Sequence, residues 1–446
     1  MILLKDLIKI TKGKLIQGDP DIKIKNFSID TRTLKKGDVF LAIKGENFDG
    51  HDFLTEAIKK KVKGIIVSNF PFSISYFQKE KIFVLKVKNT LLTLQEIAKF
   101  FRKKFNGKIV AITGSNGKTT TKEMIAKVLE SKFRVLKAPQ SYNNQIGIPL
   151  TLLDLRTWHE IAILELGANH LGEIGKLAKI CQPNIGIITN IGKSHIGYFG
   201  SQQKIFEGKK ELIKNSNLEK LVLNTDDSYL NKIKFKNKVT FGIENPASIR
   251  PKILKTGQKS TLFEIKKTKI KLPLTGIFNV YNALAAIAIG RIFGISFEKI
   301  KKSLENYKTL PLRSEIFKIK KATVFQDCYN SNPTSIIETL KVLEKFSGKK
   351  IVVFGDMLEL GRFSKKEHQK IGRYLNNNKP YLVICVGDLT KFAFREIRDK
   401  NIKKYWVKNS PKAIPILKPL ISKPFTILIK GSRKMELEKI TQKLKS

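Results

Sequence analysis

The residues best suited to chemistry in this sequence are a lysine and two threonines that directly follow a pair of closely spaced glycines, in Gly114-Ser115-Asn116-Gly117-Lys118-Thr119-Thr120. The stretch falls between an apolar run of strand length, residues 109–113, and a segment with helical spacing. Glycines let backbone N–H groups approach phosphate oxygens, and a helix beginning near Lys118 aims its positive end at them. Lys118 would neutralise charge on the β- and γ-phosphates, and the Thr119 hydroxyl would ligate Mg²⁺. Ile112 stands where the common G-x-x-x-x-G-K-T pattern has its first glycine, so this is a shortened phosphate loop.

Further candidates are weaker when taken one at a time. Glu165 ends a strand-like run and, as a hard oxygen donor, suits Mg²⁺, but an exposed strand-end glutamate looks the same in sequence. His195 lies in a loop, where histidine is more often an ordinary polar residue than a ligand. Lys209 is one lysine among very many and has Lys210 beside it. Arg313, just past Leu310-Pro311, has the planar fork that clamps phosphate, although a linker-surface arginine is the plain alternative. Asn279 and Asn282 are three apart on a predicted helix and share a face. His159 has no recognisable partner, and nothing marks Cys328 as a nucleophile.

These residues need a frame, and the hydrophobic pattern supplies one in three sections. Residues 1–86 hold short strand-like runs at 39–43 and 64–68, with turns at Lys36-Gly37-Asp38 and Phe48-Asp49-Gly50. A helix follows, with Leu91, Leu94, Ala98, Phe101 and Phe105 on one face. Residues 87–311 then alternate strands and helices, with buried-strand runs at 109–113, 161–166 and 185–188. Beyond Leu310-Pro311 the rhythm restarts in 312–446, with runs at 351–354, 382–386 and 426–429. Apolar runs separated by helices imply an α/β fold of parallel sheets covered on both faces, with ligands beyond the carboxyl ends of the strands. GxGxxG is absent, so a nicotinamide site is not expected.

Composition excludes several classes. A chain of 446 residues calls for two to four domains, and 41% hydrophobic with 28% charged residues is a globular composition. Lys5 and Lys9 break the first apolar run, and no segment reaches the roughly 18 apolar residues that span a bilayer. Neither a signal-peptide core nor membrane insertion is expected. The three cysteines are widely spaced with no CxxC, which argues against disulfides or zinc and fits a reducing cytoplasm. The net charge of +47 invites a nucleic-acid reading. The lysines, however, are spread over every section instead of forming a basic block, so a solvated lysine-rich surface is expected and a nucleic-acid partner is not.

The chain as a whole resembles the Mur ligase family. Beside the shortened loop, Asn143-Asn144-Gln145-Ile146-Gly147-Ile148-Pro149, the Glu165-to-Glu173 stretch with Asn169-His170, and Thr189-Asn190-Ile191 leading to His195 are similar to its successive motifs. Gly276-Ile277-Phe278-Asn279 with Asn282 resembles the family's adenine-side motif, with Phe278 in place of histidine. Asp327-Cys328-Tyr329-Asn330-Ser331-Asn332-Pro333 is similar to its third-domain nucleotide loop. Asp30-Thr31-Arg32, Gly37-Asp38, Gly45-Glu46 and Asp49-Gly50-His51 resemble its UDP-sugar-binding domain. Gly355-Asp356-Met357-Leu358-Glu359-Leu360-Gly361, His368 and Lys430-Gly431-Ser432-Arg433 resemble the branch that adds a D-alanyl-D-alanine dipeptide.

The resemblance implies three domains: a small UDP-binding α/β domain (1–86), a central phosphate-loop ATPase domain (87–311) and a C-terminal Rossmann-like domain for the incoming dipeptide (312–446). It implies ATP-dependent joining of D-Ala-D-Ala to UDP-MurNAc-tripeptide through an acyl phosphate, a step of peptidoglycan precursor synthesis. It assigns ATP to Gly114, Ser115, Asn116, Gly117, Lys118, Thr119, Thr120, Asn279, Asn282, Arg313, Asp327 and Asn332. Two Mg²⁺ ions would be held by Thr119, Glu165, His195 and a carbamylated Lys209, unless the register slips to Lys210. Thr31, Arg32, Asn143 and Asn144 would meet the UDP substrate. A cytoplasmic monomer is expected. The E-type ligases, the folylpolyglutamate synthetases and, more remotely, a nucleic-acid-dependent ATPase or a non-catalytic relative are the alternatives.

Overall fold

The computed structural model describes residues 1–69 and 80–445 as three α/β modules, each built around its own sheet. The central sheet runs Lys238–Phe241, Lys220–Asn224, Ile185–Ile188, Lys108–Thr113, Ile161–Glu165, Val135–Lys137, with every pairing parallel. Its inner strands are runs of isoleucine, valine and alanine that are buried throughout, as expected of strands covered on both faces. From Lys108–Thr113 the chain travels to the edge strand Val135–Lys137 and returns through Ile161–Glu165. It then crosses to the other flank at Ile185–Ile188. The loops at the carboxyl ends therefore part, and a crevice opens above Thr113.

Helix Lys118–Leu129 packs against the strands from one side and against helix Ile277–Ile292 on its outer face. The second of these is apolar nearly all round, with Val280, Ala283, Leu284, Ala286, Ile287 and Ile289 buried, so it lies inside the module as a core helix. Its first turn carries Asn279 and Asn282 up to the crevice.

A three-stranded antiparallel sheet, Lys252–Thr256, Thr261–Ile265 and Thr268–Leu272, adds to the same core through Phe263, Ile265, Ile270 and Leu272. The sequence reading named no strands here. Alternating lysines make these strands look like surface loop until their second face is covered.

The C-terminal sheet has the order Glu315–Ile319, Ala322–Gln326, Thr426–Lys430, Lys350–Gly355, Leu382–Val386, Lys403–Val407. All pairings are parallel except the hairpin formed by the first two strands. The three runs expected in this section are all strands. The N-terminal sheet orders Lys14–Gln17, Phe83–Lys86, Gly64–Val67, Val39–Leu41 and Phe27–Ser28, with only the first strand antiparallel.

Helix Thr90–Lys104, capped by the Asn89 side chain on Leu92 N–H, buries Leu94, Ile97 and Phe101 in the N-terminal cluster. Leu153, from the central helix Gly147–Leu153, joins the same cluster. The first two modules thus share apolar packing. No helix among the described residues is long and apolar enough to cross a membrane.

Ile187 sits at 0% exposure in the strand beside the phosphate loop. Ile187→Ala is expected to destabilise the central module by about 2–5 kcal/mol, through lost burial and an unfilled cavity. Urea unfolding followed by circular dichroism, with wild-type and variant midpoints compared, checks this.

Candidate functional site

The turn from Lys108–Thr113 into Lys118–Leu129 depends on two glycines with left-handed backbones. A Cβ on Gly114 (φ 143°) would lie 2.0 Å from Thr189 Oγ1, and one on Gly117 (φ 79°) would lie 2.3 Å from Asn282 Oδ1. No side chain fits at either place. The loop is tied to the next strand end on several sides. Ser115 N–H donates to Asn190 O (2.9 Å), Asn116 N–H to Asn190 Oδ1 (2.9 Å), and Thr189 Oγ1 to Asn116 O (2.7 Å). Ser194 Oγ donates to Ser115 O at 2.9 Å. A loop held this way presents its donors without having to rearrange when a phosphate arrives.

A cavity of about 620 Å³ opens over it, between the central and C-terminal modules. Ser115, Asn116, Gly117, Lys118, Thr119 and Thr120 line its floor, and Asn143, Glu165, His195, Asn279, Asn282, Arg313, Asp327 and Asn332 line its walls. Gly114 is the turn immediately beneath. Residues from 115 to 332 in the chain thus meet in one cleft.

Thr119 Oγ1 donates to Glu165 Oε2 at 2.8 Å and accepts from Arg313 Nη2 at 3.1 Å. Asn143 Nδ2 donates to the other Glu165 oxygen at 3.2 Å. Arg313 stacks over the Tyr329 ring, with Cζ 3.9 Å from the centroid, and its buried Nε has no protein partner. An arginine braced this way keeps a donor for an incoming anion. Lys118 Nζ donates to the Gly114 carbonyl at 3.0 Å. Burial, and then Arg313, lower its pKa, while Glu165 raises it.

Lys209 and Lys210 differ in burial, and neither lines the cavity. The Lys209 side chain is buried, on the inner face of helix Gln202–Lys214 and 5.6 Å from the Phe199 centroid, whereas Lys210 is half-buried over Phe206. Burial, and then the nearby Lys118 ammonium, lower the Lys209 pKa to about 7.

His195 Nδ1 is buried without an aligned hydrogen-bond partner, though Glu359 Oε2 approaches to 2.8 Å. Among the described residues no three His, Cys, Asp or Glu side chains gather into a preformed cation site. The donors present still fit Mg²⁺, because this ion keeps several waters and is bound through one or two protein oxygens plus substrate phosphates. Thr119 and Glu165 supply such oxygens.

Several expected residues have their polar atoms engaged by the protein itself. Asn282 accepts from Thr121 Oγ1 (3.1 Å) and donates to Asn279 (3.3 Å), and Asn279 donates to the Thr275 carbonyl (2.8 Å). Asp327 accepts from Lys430 Nζ (2.6 Å) and Ser314 N–H (3.1 Å), which joins the start of the C-terminal module to its last strand. Asn144 lies outside the cavity and caps helix Gly147–Leu153 by accepting from Gly147 N–H at 2.9 Å. Thr31 and Arg32 follow strand Phe27–Ser28 in the N-terminal module, where Thr31 is buried and Arg32 is exposed and paired with Asp30 at 2.6 Å. Burial pushes the Cys328 thiol up to about 12, as suits an inert side chain. His159 is structural, accepting from Arg156 N–H at 3.1 Å.

Asp226 and Tyr281, which no motif marks, also line the cavity. Asp226 accepts from three successive N–H groups, Ile243 to Asn245, and from the Tyr281 hydroxyl at 2.7 Å. The signal was available: Asp226 lies just beyond the carboxyl end of parallel strand Lys220–Asn224, where site residues collect.

A phosphate loop on a parallel sheet, facing a second, mostly parallel sheet across a cleft lined by both cations and carboxylates, suits an ATP-dependent ligase that joins a carboxylate to an amine. Family models match in chain order: the Mur ligase family catalytic domain over 23–102, the Mur ligase middle domain over 112–290 and the Mur ligase glutamate ligase domain over 312–433. The UDP-N-acetylmuramoyl-tripeptide–D-alanyl-D-alanine ligase of Bacillus subtilis strain 168 is 34% identical, over 99% of this chain and 97% of its own. A crystal structure of MurF from Acinetobacter baumannii superposes with a TM-score of 0.90 at 31% identity, covering 99% of this chain and 98% of that one. MurF ligase from Thermotoga maritima in complex with ADP gives 0.84 at 29% identity, covering 94% and 97%. The chain belongs to the Mur ligase family, and its likeness there is to the MurF-type ligases.

Gly117→Ala would press a methyl group on Asn282 and strain a left-handed backbone. It is expected to weaken ADP binding by at least about tenfold, equivalent to roughly 1.4 kcal/mol. Isothermal titration of wild type and variant with Mg-ADP checks this; equal affinities would mean that the loop does not carry the nucleotide.

Proposed function

We propose that this enzyme adds D-alanyl-D-alanine to the terminal carboxylate of UDP-N-acetylmuramoyl-tripeptide, with ATP converted to ADP and phosphate. The observation carrying this reading is the convergence of Lys118, Thr119, Glu165, His195 and Arg313 on one cleft between two modules, in a chain whose full-length relatives bear that activity as their name. Amine and carboxylate in water form only a salt. Phosphorylation turns the carboxylate oxygen into a leaving group: the carboxylate attacks the γ-phosphorus, the bond to the ADP oxygen breaks, and an acyl phosphate forms. The dipeptide amine then attacks the carbonyl carbon, phosphate departs, and the amine gives up a proton.

The chain's own residues contribute positioning and charge. The loop amides and Lys118 hold the phosphates, and Arg313 neutralises charge that builds on the transferring group. Holding both partners in one cleft is worth up to about 7–11 kcal/mol of the barrier. Thr119 and Glu165 would hold one Mg²⁺; His195 and Lys209, the latter as a carbamate with an anionic oxygen, would hold a second. The ions would offset phosphate charge and polarise its oxygens. Thr31, Arg32, Asn143 and Asn144 are assigned to the UDP substrate, and Asn279, Asn282, Asp327 and Asn332 to the nucleotide and the frame around it. We further assign the domains as 1–86, 87–311 and 312–446, and the working form as a cytoplasmic monomer. The +47 charge is dispersed and gives no support to a nucleic-acid partner.

Phosphate release measured with UDP-MurNAc-tripeptide and D-Ala-D-Ala, each omitted in turn, is expected to need both and to give a product heavier by one dipeptide. Turnover with a free amino acid or a folate in place of the dipeptide would overturn the specificity.

Carbamylation requires a neutral amine, and an ordinary lysine at neutral pH is neutral in fewer than about one molecule in a thousand. Because burial lowers the Lys209 pKa to about 7, its neutral fraction rises from minor to major as pH climbs through that value. A carbamate signal from ¹³C-bicarbonate is expected to grow over the same range and to vanish in Lys209→Arg. Persistence of the signal in that variant would assign the modification elsewhere.

A further inference from the structure

The backbone of His195 is held by its own module, its carbonyl accepting from Tyr198 N–H (3.0 Å) and Phe199 N–H (3.1 Å). The residue starts the four-residue helix Ile196–Phe199 from a left-handed backbone, φ 56°. Conformations of this kind in non-glycine residues persist where surrounding structure enforces them. The side chain, by contrast, is met by the C-terminal module. Glu359, in the loop after strand Lys350–Gly355, is itself left-handed at φ 65°, and its Oε2 lies 2.8 Å from the buried His195 Nδ1.

The two backbones also meet here. Gly197 N–H donates to the Glu359 carbonyl at 2.9 Å. A Cβ on Gly197 would fall 2.6 Å from Gly361 N and 2.7 Å from Glu359 O, so the modules touch main chain to main chain.

Two further bonds bracket the contact. Lys193 Nζ meets Glu367 Oε1 at 2.5 Å, with the glutamate side chain only 6% exposed, and Asn332 Nδ2 donates to Ser194 Oγ at 3.1 Å. The Glu359 loop is braced from within its own module. Met357 N–H donates to His368 Nε2 (3.1 Å), the His368 Nδ1–H donates to the Ser364 carbonyl (2.8 Å), and Leu358 N–H donates to Ser432 Oγ (3.0 Å). A neutral, buried imidazole thus fixes the loop that reaches the one in the cleft.

We propose that Glu359 is a positioning residue for His195, delivered when the C-terminal module docks on the seam at Gly197. The site is then complete only while that module is seated. A carboxylate on the Nδ1 side sets the ring's orientation and leaves Nε2 as the nitrogen available to a ligand. This deepens the reading above and rests on it for the claim that His195 works at the phosphate-transfer end of the cleft. Docking of the third module and assembly of that end become one event, so nucleotide bound to an undocked chain turns over poorly.

The test uses the full-length chain and two variants. Glu359→Gln keeps the shape and removes the charge; Gly197→Ala inserts a methyl group as a wedge in the seam. Both are expected to lower kcat by at least about tenfold with the KM for ATP changed less than about twofold. Gly197→Ala is also expected to enlarge the radius of gyration in small-angle scattering with Mg-ADP.

In parallel, ¹⁵N-histidine spectra are recorded with Mg-ADP, and the His195 signals are identified by their loss in His195→Gln. They are expected to move in both variants while those of His51 and His159 stay in place. Unmoved His195 signals, or kcat in both variants within about twofold of wild type, would overturn the proposal. If the wild-type chain turns over no ATP with the substrate pair while the His195 signals still move, the reaction assignment fails and the positioning role stands.

Discussion

Thr119 has one hydroxyl, and two distant stretches of the chain meet on it. It donates to Glu165 at the end of the neighbouring strand and accepts from Arg313 at the entry to the C-terminal module. A cation and an anion are thereby held within reach of the same oxygen, at the positive end of helix Lys118–Leu129. That crossing point exists only because the loop beneath it has no side chains at Gly114 and Gly117, where any Cβ would collide with Thr189 or Asn282. The backbone constraint comes first, and the charges are arranged around it. Asn143, on the far side of Glu165, completes the bracing.

Most of the remaining polar structure serves to keep this crossing point rigid. Asn282, Asn279 and Thr275 form a chain of amide hydrogen bonds beneath the loop, inside an otherwise apolar helix pair. Buried amides of this sort are stable only when each is satisfied, and these are. Asp327 and Lys430 do the equivalent work across the floor of the C-terminal module. They hold the segment around Arg313, where Leu312 and Ser314 both take left-handed backbones on either side of the arginine. Strain concentrated next to a phosphate-facing arginine is tolerated because neighbouring contacts over-determine it.

Two lysines mark the difference between surface charge and site charge. Nearly all of the cationic excess is solvated and weakly coupled, and the cleft uses little of it. Lys118 and Lys209 are two that burial shifts. Each is lowered by burial first and by a nearby cation, Arg313 in one case and Lys118 in the other.

By itself the sequence determined the local parts: the phosphate loop, the buried strands, the restart of the rhythm after Leu310-Pro311 and the order of the motifs. Those features are set by backbone sterics and by the period of hydrophobic residues, both of which act over a few residues. It did not distinguish Lys209 from Lys210, because two adjacent lysines differ only in which face of a helix is covered. It did not reveal the antiparallel strands between residues 252 and 272, whose lysine-rich alternation becomes a buried face only once it packs into the central core, beside helix Phe297–Glu305. Nor did it single out Asp226, or the meeting of Glu359 with His195. Such pairs lie far apart along the chain, and their contact is decided by how modules pack, through close approaches such as that of Gly197 to Gly361 that no local pattern encodes.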